Sequence, residues 1–340
     1  MSHEWKIYAR SILTQRESEM KDGSPATVIR VALSVRRGFF SGVFTSWDLL
    51  KVMIPTMVLV QILKVTGLLS SMAVAGAPLM DLFGLPGESA LVLITGGLVN
   101  IYAAIAVAVN VPLTAKGMTI LAIMVLIAHN LIVETAVQSQ SGTPAWVTLP
   151  VRITSAIFAG LFFAWIMPGG GEVLVQAGMA AGGAESWGQV LMANVISLVK
   201  IIMIIVGLMV VMDLTREFGV MDQITAGLSL PMKFLGMDRR TSLVTAVGLL
   251  LGLAYGAGLI IEETRQNSIG KGEILATNIF LGTNHALIED TLIFVAVGAS
   301  LGWVLIGRLL VGYLMLKISL PLVLYFWKPE GFGSKESKPE

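Results

Sequence analysis

Two histidines stand inside apolar stretches of the chain, and each is followed five residues later by an acid. His129 precedes Glu134, and His285 precedes Asp290. On a straight α-helix this spacing leaves the two side chains about 140° apart. A break in the helix beside each histidine would bring the imidazole and the carboxylate together. Because ionisable groups at membrane depth usually pair or face a cavity, we expect either a direct role with a solute or a proton, or a structural role in capping the break.

These residues belong to an internal repeat. The stretch HNLIVET at 129–135 matches HALIEDT at 285–291, and the flanking segments match at a nearly constant offset. Arg152 and Arg308 then follow at the same distance in the two copies. We expect each arginine to form a structural ion pair with the acid of its own copy, because the intervening loop folds the two helices side by side.

The composition places this repeat in a membrane. Apolar residues make up 55% of the 340 residues and charged residues only 13%, where a soluble domain has about 25%. The low fraction of charged residues argues against a soluble domain, a disordered chain and a nucleic-acid binder, and the net charge of +1 implies no acidic partner. The chain has no cysteine, which excludes disulfides, thiolate metal sites and iron–sulfur clusters. No cofactor is expected.

Eight segments are long and apolar enough to be candidate spanning helices, which need about 20 residues each. They are 48–76, 88–110, 117–138, 146–168, 187–213, 242–262, 273–298 and 302–327. Four fall in each copy of the repeat. The sequence therefore predicts an all-α polytopic membrane protein.

The distribution of basic residues favours inverted copies over parallel ones. Small residues interrupt 88–110 and 242–262, so we expect both to be re-entrant hairpins, although glycines can also serve close helix packing. Each copy then crosses the membrane three times, and the second copy is inverted. In this arrangement the two ends of the chain, 214–241 and 263–272 share one side and carry nearly all of the exposed Lys and Arg. Basic loops usually lie in the cytoplasm, so we expect both termini to be cytoplasmic. We expect the protein to lie in the inner (cytoplasmic) membrane.

Each repeat is predicted to contain a spanning helix, an interfacial helix, a re-entrant hairpin, a broken helix and a final spanning helix. The interfacial helices are expected at 77–87 and 228–241. The chain then divides into a cytoplasmic amphipathic N-terminal arm (1–46), the first repeat (47–168), a Gly-rich extracytoplasmic linker (169–186), the second repeat (187–327) and a cytoplasmic tail (328–340).

The first copy resembles a known family. The sequence ESALVLITGG at 88–97, followed by the broken helix that carries Glu134, is similar to the nucleoside-recognition or gate domain. That domain is shared by concentrative nucleoside transporters, the membrane gates of ferrous-iron transporters and spore-maturation membrane proteins. The resemblance covers 48–327 and implies a solute site between the hairpin tips and the broken helices, with a nucleoside as the solute.

The predicted solute-binding residues lie at the hairpin tips and the helix breaks. They are Thr95, Gly96, Gly97, Asn100, His129, Asn130, Glu134, Tyr255, Asn284, His285, Glu289 and Asp290. At the tips, uncapped backbone amides and the Asn and Tyr side chains could bind a polar solute, and ordinary tip packing is the alternative. Whether any of these residues binds a metal is left open.

The function favoured by these features is a membrane transporter of a small polar solute, working by alternating access and driven by an H⁺ or Na⁺ gradient. One alternative is transport of a divalent metal ion, since imidazole and carboxylate suit such ions. Another is a non-transporting membrane assembly subunit. No nucleophile elbow or HExxH pattern is present, and an enzyme is not expected. The expected partners are the solute, the coupling ion and the lipid bilayer, without nucleic acid, and a homo-oligomer is left open.

Overall fold

The computed structural model describes residues 26–169, 174, 187–220, 223–224, 227, 239–265 and 269–327. These residues are helical, with no strand among them. The first half contains α1 (Ala26–Val65), α2 (Leu68–Met80), α3 (Ser89–Leu98), α4 (Ile101–Ala108), α5 (Ala115–Ala128), α6 (Leu131–Gln140) and α7 (Ala145–Ile166). The second half contains α8 (Trp187–Glu217), α9 (Arg239–Leu251), α10 (Leu253–Arg265), α11 (Lys271–Asn284), α12 (Leu287–Ala296) and α13 (Leu301–Phe326).

Five helical stretches within the described residues are long and apolar enough to cross a membrane. They are Ala115–Gln140, Ala145–Ile166, Leu198–Glu217, Lys271–Ala296 and Leu301–Phe326. They overlap five of the eight segments expected from the sequence, and a sixth is formed if α1 and α2 count as one bent span. The all-helical membrane architecture is therefore confirmed.

The first predicted span, 48–76, is wrong as a single helix. α1 continues without interruption from residue 26 through the expected domain boundary at residue 46, and ends at Val65. Gly67 then adopts φ 73°, a left-handed conformation that glycine allows at no steric cost. The chain turns by 91° into α2. The helix expected at 77–87 thus starts earlier, and only a short 3₁₀ turn remains at Asp81–Phe83.

Both segments that small residues interrupt fold as helical hairpins. α3 returns on α4, and a Cβ placed on Gly96 would lie 3.2 Å from the Cβ of Ala104. α9 returns on α10, and a Cβ on Gly248 would lie 3.2 Å from the Cα of Gly256. The second hairpin turns at Gly252, which has φ 100°. The re-entry of both hairpins from one membrane face stays a prediction.

The two broken helices form the interior of the molecule. In the most apolar window of α5–α6, 61% of the residues are buried, and in that of α11–α12, 67%. The corresponding share for Leu198–Glu217 is only 22%. Large apolar side chains such as Trp165, Met203 and Ile306 are more than half exposed on the outer helices. An exposed apolar surface of this extent fits contact with lipid tails.

The last helices of the two halves lie antiparallel. Trp146 near the start of α7 contacts Trp327 at the end of α13, with ring centroids 5.7 Å apart. At the opposite ends Phe163 contacts Trp303 at 6.1 Å. An inverted second copy requires equivalent helices to run in opposite directions, whereas a parallel copy would leave them aligned. The contacts therefore favour inversion, while the membrane faces stay a prediction.

The first helices of the two halves, α1 and α8, are joined at one end by ion pairs. Arg37 lies 3.1 Å from Asp213 and 2.7 Å from Glu217, and Arg30 lies 2.9 Å from the same glutamate. These pairs connect residues far apart in sequence, and the sequence alone did not predict them.

Several predicted parts fall wholly or largely outside the described residues. They are most of the N-terminal arm (1–46), nearly all of the linker (169–186), the second interfacial helix (228–241) apart from its last residues, and the tail (328–340). Their boundaries stay predictions.

Candidate functional site

The breaks in the two central helices occur where the sequence predicted them. α5 ends at His129, which is extended, and Asn130 then adopts φ 47° before α6 begins. α11 ends at His285, also extended, and Ala286 adopts φ 46° before α12 begins. Asn tolerates this left-handed conformation better than most residues, whereas Ala does not. Each break exposes backbone groups in the interior of the molecule.

The two imidazoles are oriented by the backbone of their own helices. His129 Nδ1 lies 3.2 Å from the carbonyl oxygen of Leu126, and His285 Nδ1 lies 2.8 Å from that of Leu281. A carbonyl oxygen can only accept a hydrogen bond, so Nδ1 carries the hydrogen in both rings. In a neutral ring the Nε2 atom then presents a lone pair, whereas in a protonated ring it donates a hydrogen bond. Each histidine thus caps its own helix through Nδ1 and presents Nε2 as a polar atom on the other side of the ring.

The Nε2 atoms of the two repeats meet at one carboxylate. They lie 3.3 Å from each other, and each is 3.1 Å from Glu134 Oε1. Asp290 Oδ2 is 3.9 Å from His129 Nε2. All four residues are more than nine-tenths buried. The histidine–acid pairs of the two copies thus form a single cluster, which we call the His–acid cluster.

Arg152 holds the cluster from one side. It pairs with Glu134 Oε2 at 2.8 Å, which confirms the predicted ion pair. Its guanidinium also donates to the carbonyl oxygens of Ile127 at 3.0 Å and His129 at 2.7 Å. The arginine therefore satisfies carbonyls that the helix break leaves without an amide partner.

The ion pair predicted between Arg308 and Asp290 is wrong. Within the described residues Arg308 has no carboxylate at ion-pair distance, and it donates to the carbonyl oxygen of His285 at 2.8 Å. Longer contacts reach the carbonyls of Thr283 and Leu126, at 3.5 and 3.4 Å. Its guanidinium is directed to the unwound backbone, while Asp290 points toward the histidines. The two repeats therefore share the arginine cap and differ in the acid.

A cavity of about 320 Å³ opens onto the His–acid cluster. Its walls come from both hairpin tips and both helix breaks. They are Asn100, Ile101, Tyr102, His129, Asn130, Val133, Glu134, Val137, Leu251, Gly252, Leu253, His285, Ala286 and Asp290. Six predicted site residues are thus brought together around one space: Asn100, His129, Asn130, Glu134, His285 and Asp290.

At the first hairpin tip, the amides expected to be uncapped are capped. The side-chain oxygen of Asn100 accepts from the amides of Tyr102 at 3.0 Å and Ala103 at 2.9 Å. Thr95 donates its hydroxyl to the carbonyl of Leu91 at 2.8 Å and is not among the lining residues. The expectation of free amides at this tip is therefore wrong, because the N-cap takes them.

Gly96 and Gly97 serve packing and are not among the lining residues. The Gly96 carbonyl accepts from the amide of Asn130 at 2.8 Å, so the hairpin is bonded directly to the helix break. A Cβ on Gly96 would lie 3.0 Å from Val125, and one on Gly97 would lie 3.4 Å from the Ala128 carbonyl. Gly96 therefore permits close contact between the hairpin and the broken helix, whereas a Cβ on Gly97 would make an ordinary van der Waals contact.

Two further predicted residues do not line the cavity, and the side chain of a third is outside the described part of the chain. Asn284 is fully buried and donates to Phe280 and Thr283 within its own helix. Glu289 is half-buried, and it is not among the lining residues. The side chain of Tyr255 lies outside the described part of the chain.

A second buried polar group went unnoticed in the sequence. Gln138 donates to the backbone carbonyl of Asn278 at 2.5 Å, and Asn278 donates to Thr143 at 2.9 Å. Ser141 donates to Asn278 Oδ1 at 3.1 Å. Gln138 follows Glu134 by one helical turn, which is the pattern that could have revealed it. The group ties the loop after α6 to the middle of α11.

Comparison with known proteins gives a full-length relative. The uncharacterized membrane protein YvoD of Bacillus subtilis (strain 168) is 32% identical over 304 residues, which cover 88% of this chain and 97% of YvoD. The chain belongs to the YvoD family. No family model matches the chain, and no solved structure matches it. Membership in the YvoD family agrees with the spanning helices, and the resemblance to gate domains stays a prediction.

Proposed function

We propose that this protein is a membrane transporter that binds a small polar solute between its two hairpin tips and its two helix breaks. The observation that carries this proposal is the cavity of about 320 Å³, whose walls come from both repeats and end on the His–acid cluster. Non-helical backbone at membrane depth is tolerated where it is buried or lines a cavity, and transporters use such breaks to bind solutes.

The solute is expected to be a nucleoside or a molecule of similar size and polarity. The gate-domain resemblance suggests the nucleoside. The cavity volume lies at the low end of the range of about 300–1,000 Å³ that small-molecule sites occupy. Apolar side chains such as Val133 and Leu253 could cover a base, while the cluster and Asn100 offer polar contacts.

Transport would proceed by movement of the central helices against the outer ones. The hairpins and broken helices would alternate between two faces of the membrane, and α1 with α8 would serve as a scaffold. The direction and the coupling ion, H⁺ or Na⁺, belong to the same proposal. We place the protein in the cytoplasmic membrane with both termini inside the cell.

The proposal is tested by uptake of radiolabelled uridine and adenosine into proteoliposomes. Val133→Trp would fill the cavity from one wall and is expected to reduce uptake at least tenfold. Ile132→Trp is the matched control, since Ile132 is the adjacent exposed residue and does not line the cavity. It should transport as the unchanged protein does.

Two results would contradict the proposal. One is equal uptake by the Val133 and Ile132 variants, since the cavity would then carry no solute. The other is absence of uptake with nucleosides and with a panel of other small polar solutes, under both H⁺ and Na⁺ gradients. The second result would move the assignment toward a membrane assembly subunit.

A further inference from the structure

We propose that the His–acid cluster binds one divalent transition-metal ion, with His129, His285 and Glu134 as ligands and Asp290 as the fourth. The relative, the resemblance and the transport proposal do not assign such a site to this chain. The inference stands apart from transport, because an ion can be bound at this position whether or not a solute moves.

The first argument is that three acceptor atoms face one another. Both Nδ1 atoms are committed as donors to backbone carbonyls, so a neutral imidazole presents an Nε2 lone pair. The two Nε2 atoms and Glu134 Oε1 lie within 3.1–3.3 Å of one another. When both rings are neutral, these three acceptors repel one another, and a positive centre among them removes the repulsion. A metal cation supplies that centre without changing either histidine tautomer.

The second argument is geometric. Zinc binds imidazole nitrogen and carboxylate oxygen at about 2.0–2.2 Å in a tetrahedral arrangement, which places neighbouring ligand atoms about 3.3–3.5 Å apart. The separations within the cluster are 3.1, 3.1 and 3.3 Å. The three atoms are therefore almost at the spacing of one face of a metal-centred tetrahedron.

The third argument is the orphaned aspartate. Asp290 Oδ2 is buried and has no hydrogen-bond partner. It lies 3.9 Å from His129 Nε2, and the ligand atoms of His129, His285 and Asp290 all lie within 4.8 Å of one another. A buried carboxylate oxygen without a partner is costly. Coordination of an ion shared with the histidines would satisfy it.

The residues behind the ligands have the arrangement that metal sites use. A histidine ligand commonly donates its second ring nitrogen to a backbone carbonyl, which fixes its orientation. Both histidines do so here. Arg152 binds the other oxygen of Glu134 at 2.8 Å, so that carboxylate presents Oε1 to the site. The ligands are thus held in place before an ion arrives.

The ligand set indicates the class of ion. Two imidazoles with two carboxylates suit zinc, manganese, iron(II) or cobalt(II), while Ca²⁺ and Mg²⁺ prefer oxygen ligands alone. The absence of cysteine from the chain disfavours soft ions such as Cu(I). All four side chains line the cavity, so an ion has a route to them.

The test is metal binding by the full-length protein, purified in detergent and stripped with a chelator. Titration with Zn²⁺ and Mn²⁺, followed by metal analysis after gel filtration, should give one bound ion per chain. Co²⁺ should give the visible absorption of a tetrahedral nitrogen–oxygen site. His129→Ala and His285→Ala should each weaken binding more than about tenfold.

Matched control variants test whether ion binding depends on the four residues of the His–acid cluster. Glu289→Gln removes the acid next to Asp290 that does not line the cavity, and His3→Ala removes the remaining histidine. Both should bind the ion as the unchanged protein does. If the histidine variants fail to fold, Asp290→Asn provides the readout, because it keeps shape and should shift the Co²⁺ spectrum and weaken binding.

Three outcomes would overturn the inference. The first is less than one ion bound per chain at saturating zinc and manganese. The second is unchanged binding in both the histidine and the Asp290 variants. The third is a proton shared by the imidazoles of the metal-free protein that added metal does not displace. The transport proposal could survive each of these. Conversely, ion binding without solute uptake would support the metal site and contradict the transport proposal.

Discussion

Among single residues, the two buried arginines both donate to a helix break, but they differ in whether they also bind a carboxylate. Each donates to the carbonyl oxygen of the histidine at a helix break, at 2.7 Å for Arg152 and 2.8 Å for Arg308. Only Arg152 also binds a carboxylate, Glu134. Removing one member of a buried ion pair leaves a charge without compensation, which is more costly than losing neutral hydrogen bonds.

We therefore expect Arg152→Met to destabilise the protein by about 3–5 kcal/mol. Arg308→Met should cost about 1–3 kcal/mol, since it removes hydrogen bonds to carbonyl oxygens and, within the described residues, no ion pair at contact distance. The measurement is reversible unfolding of the purified protein in mixed detergent micelles. The double variant Arg152→Met with Glu134→Gln should recover part of the loss. Equal destabilisation by the two arginine variants would show that the ion pair contributes nothing.

At the scale of elements, the contact between α1 and α8 depends on glycines. A Cβ on Gly38 would lie 2.5 Å from the Cα of Val210, and one on Gly42 would lie 2.6 Å from the Cα of Val206. The two backbones therefore approach more closely than any larger residue permits. Small residues four apart are the usual means by which helices in a membrane reach this distance.

Gly42→Ala should push α1 away from α8 and destabilise the protein by about 1–3 kcal/mol, as overpacking does. Gly207→Ala is the control on α8, because a Cβ there meets nothing within 4 Å. It should be neutral or slightly stabilising, since Ala favours a helix more than Gly. Thermal unfolding of the two purified variants measures the difference. A loss of the same size in both variants would show that the destabilisation does not come from the contact between α1 and α8.

At the scale of the whole molecule, the antiparallel pairing of α7 with α13 predicts where the loops lie. If the copies are inverted, Gln140 before α7 and Leu301 at the start of α13 belong to opposite membrane faces. If the copies are parallel, both belong to the same face.

Because the chain has no cysteine, single cysteines report on this directly. Leu301→Cys should react with a membrane-impermeant maleimide in intact cells. Gln140→Cys should react only after the membrane is permeabilised, because its loop is expected in the cytoplasm. Ser2→Cys, in the predicted cytoplasmic arm, serves as the internal reference. Labelling of positions 140 and 301 from the same side would exclude the inverted arrangement.

Features that depend on spacing and polarity could be predicted from the sequence alone. Apolar segments of spanning length predicted the membrane helices, and polar residues recurring inside them revealed the repeat. The helix breaks at His129 and His285 were predicted because a histidine and an acid five residues apart cannot meet on a straight helix. The pair between Arg152 and Glu134 followed from two neighbouring helices joined by a short loop.

How the two copies combine is seen only in the tertiary structure. Glu134 serves the histidines of both repeats, and Arg308 turns to backbone carbonyls instead of Asp290. The sequence treats each copy as a unit and contains no measure of distance between them. Contacts between the repeats depend on how the hairpins and broken helices pack, and on which donors lie near the carbonyl oxygens of the helix breaks. The repeated pattern therefore predicted two equivalent arginine–acid pairs, and the packing formed only the pair between Arg152 and Glu134.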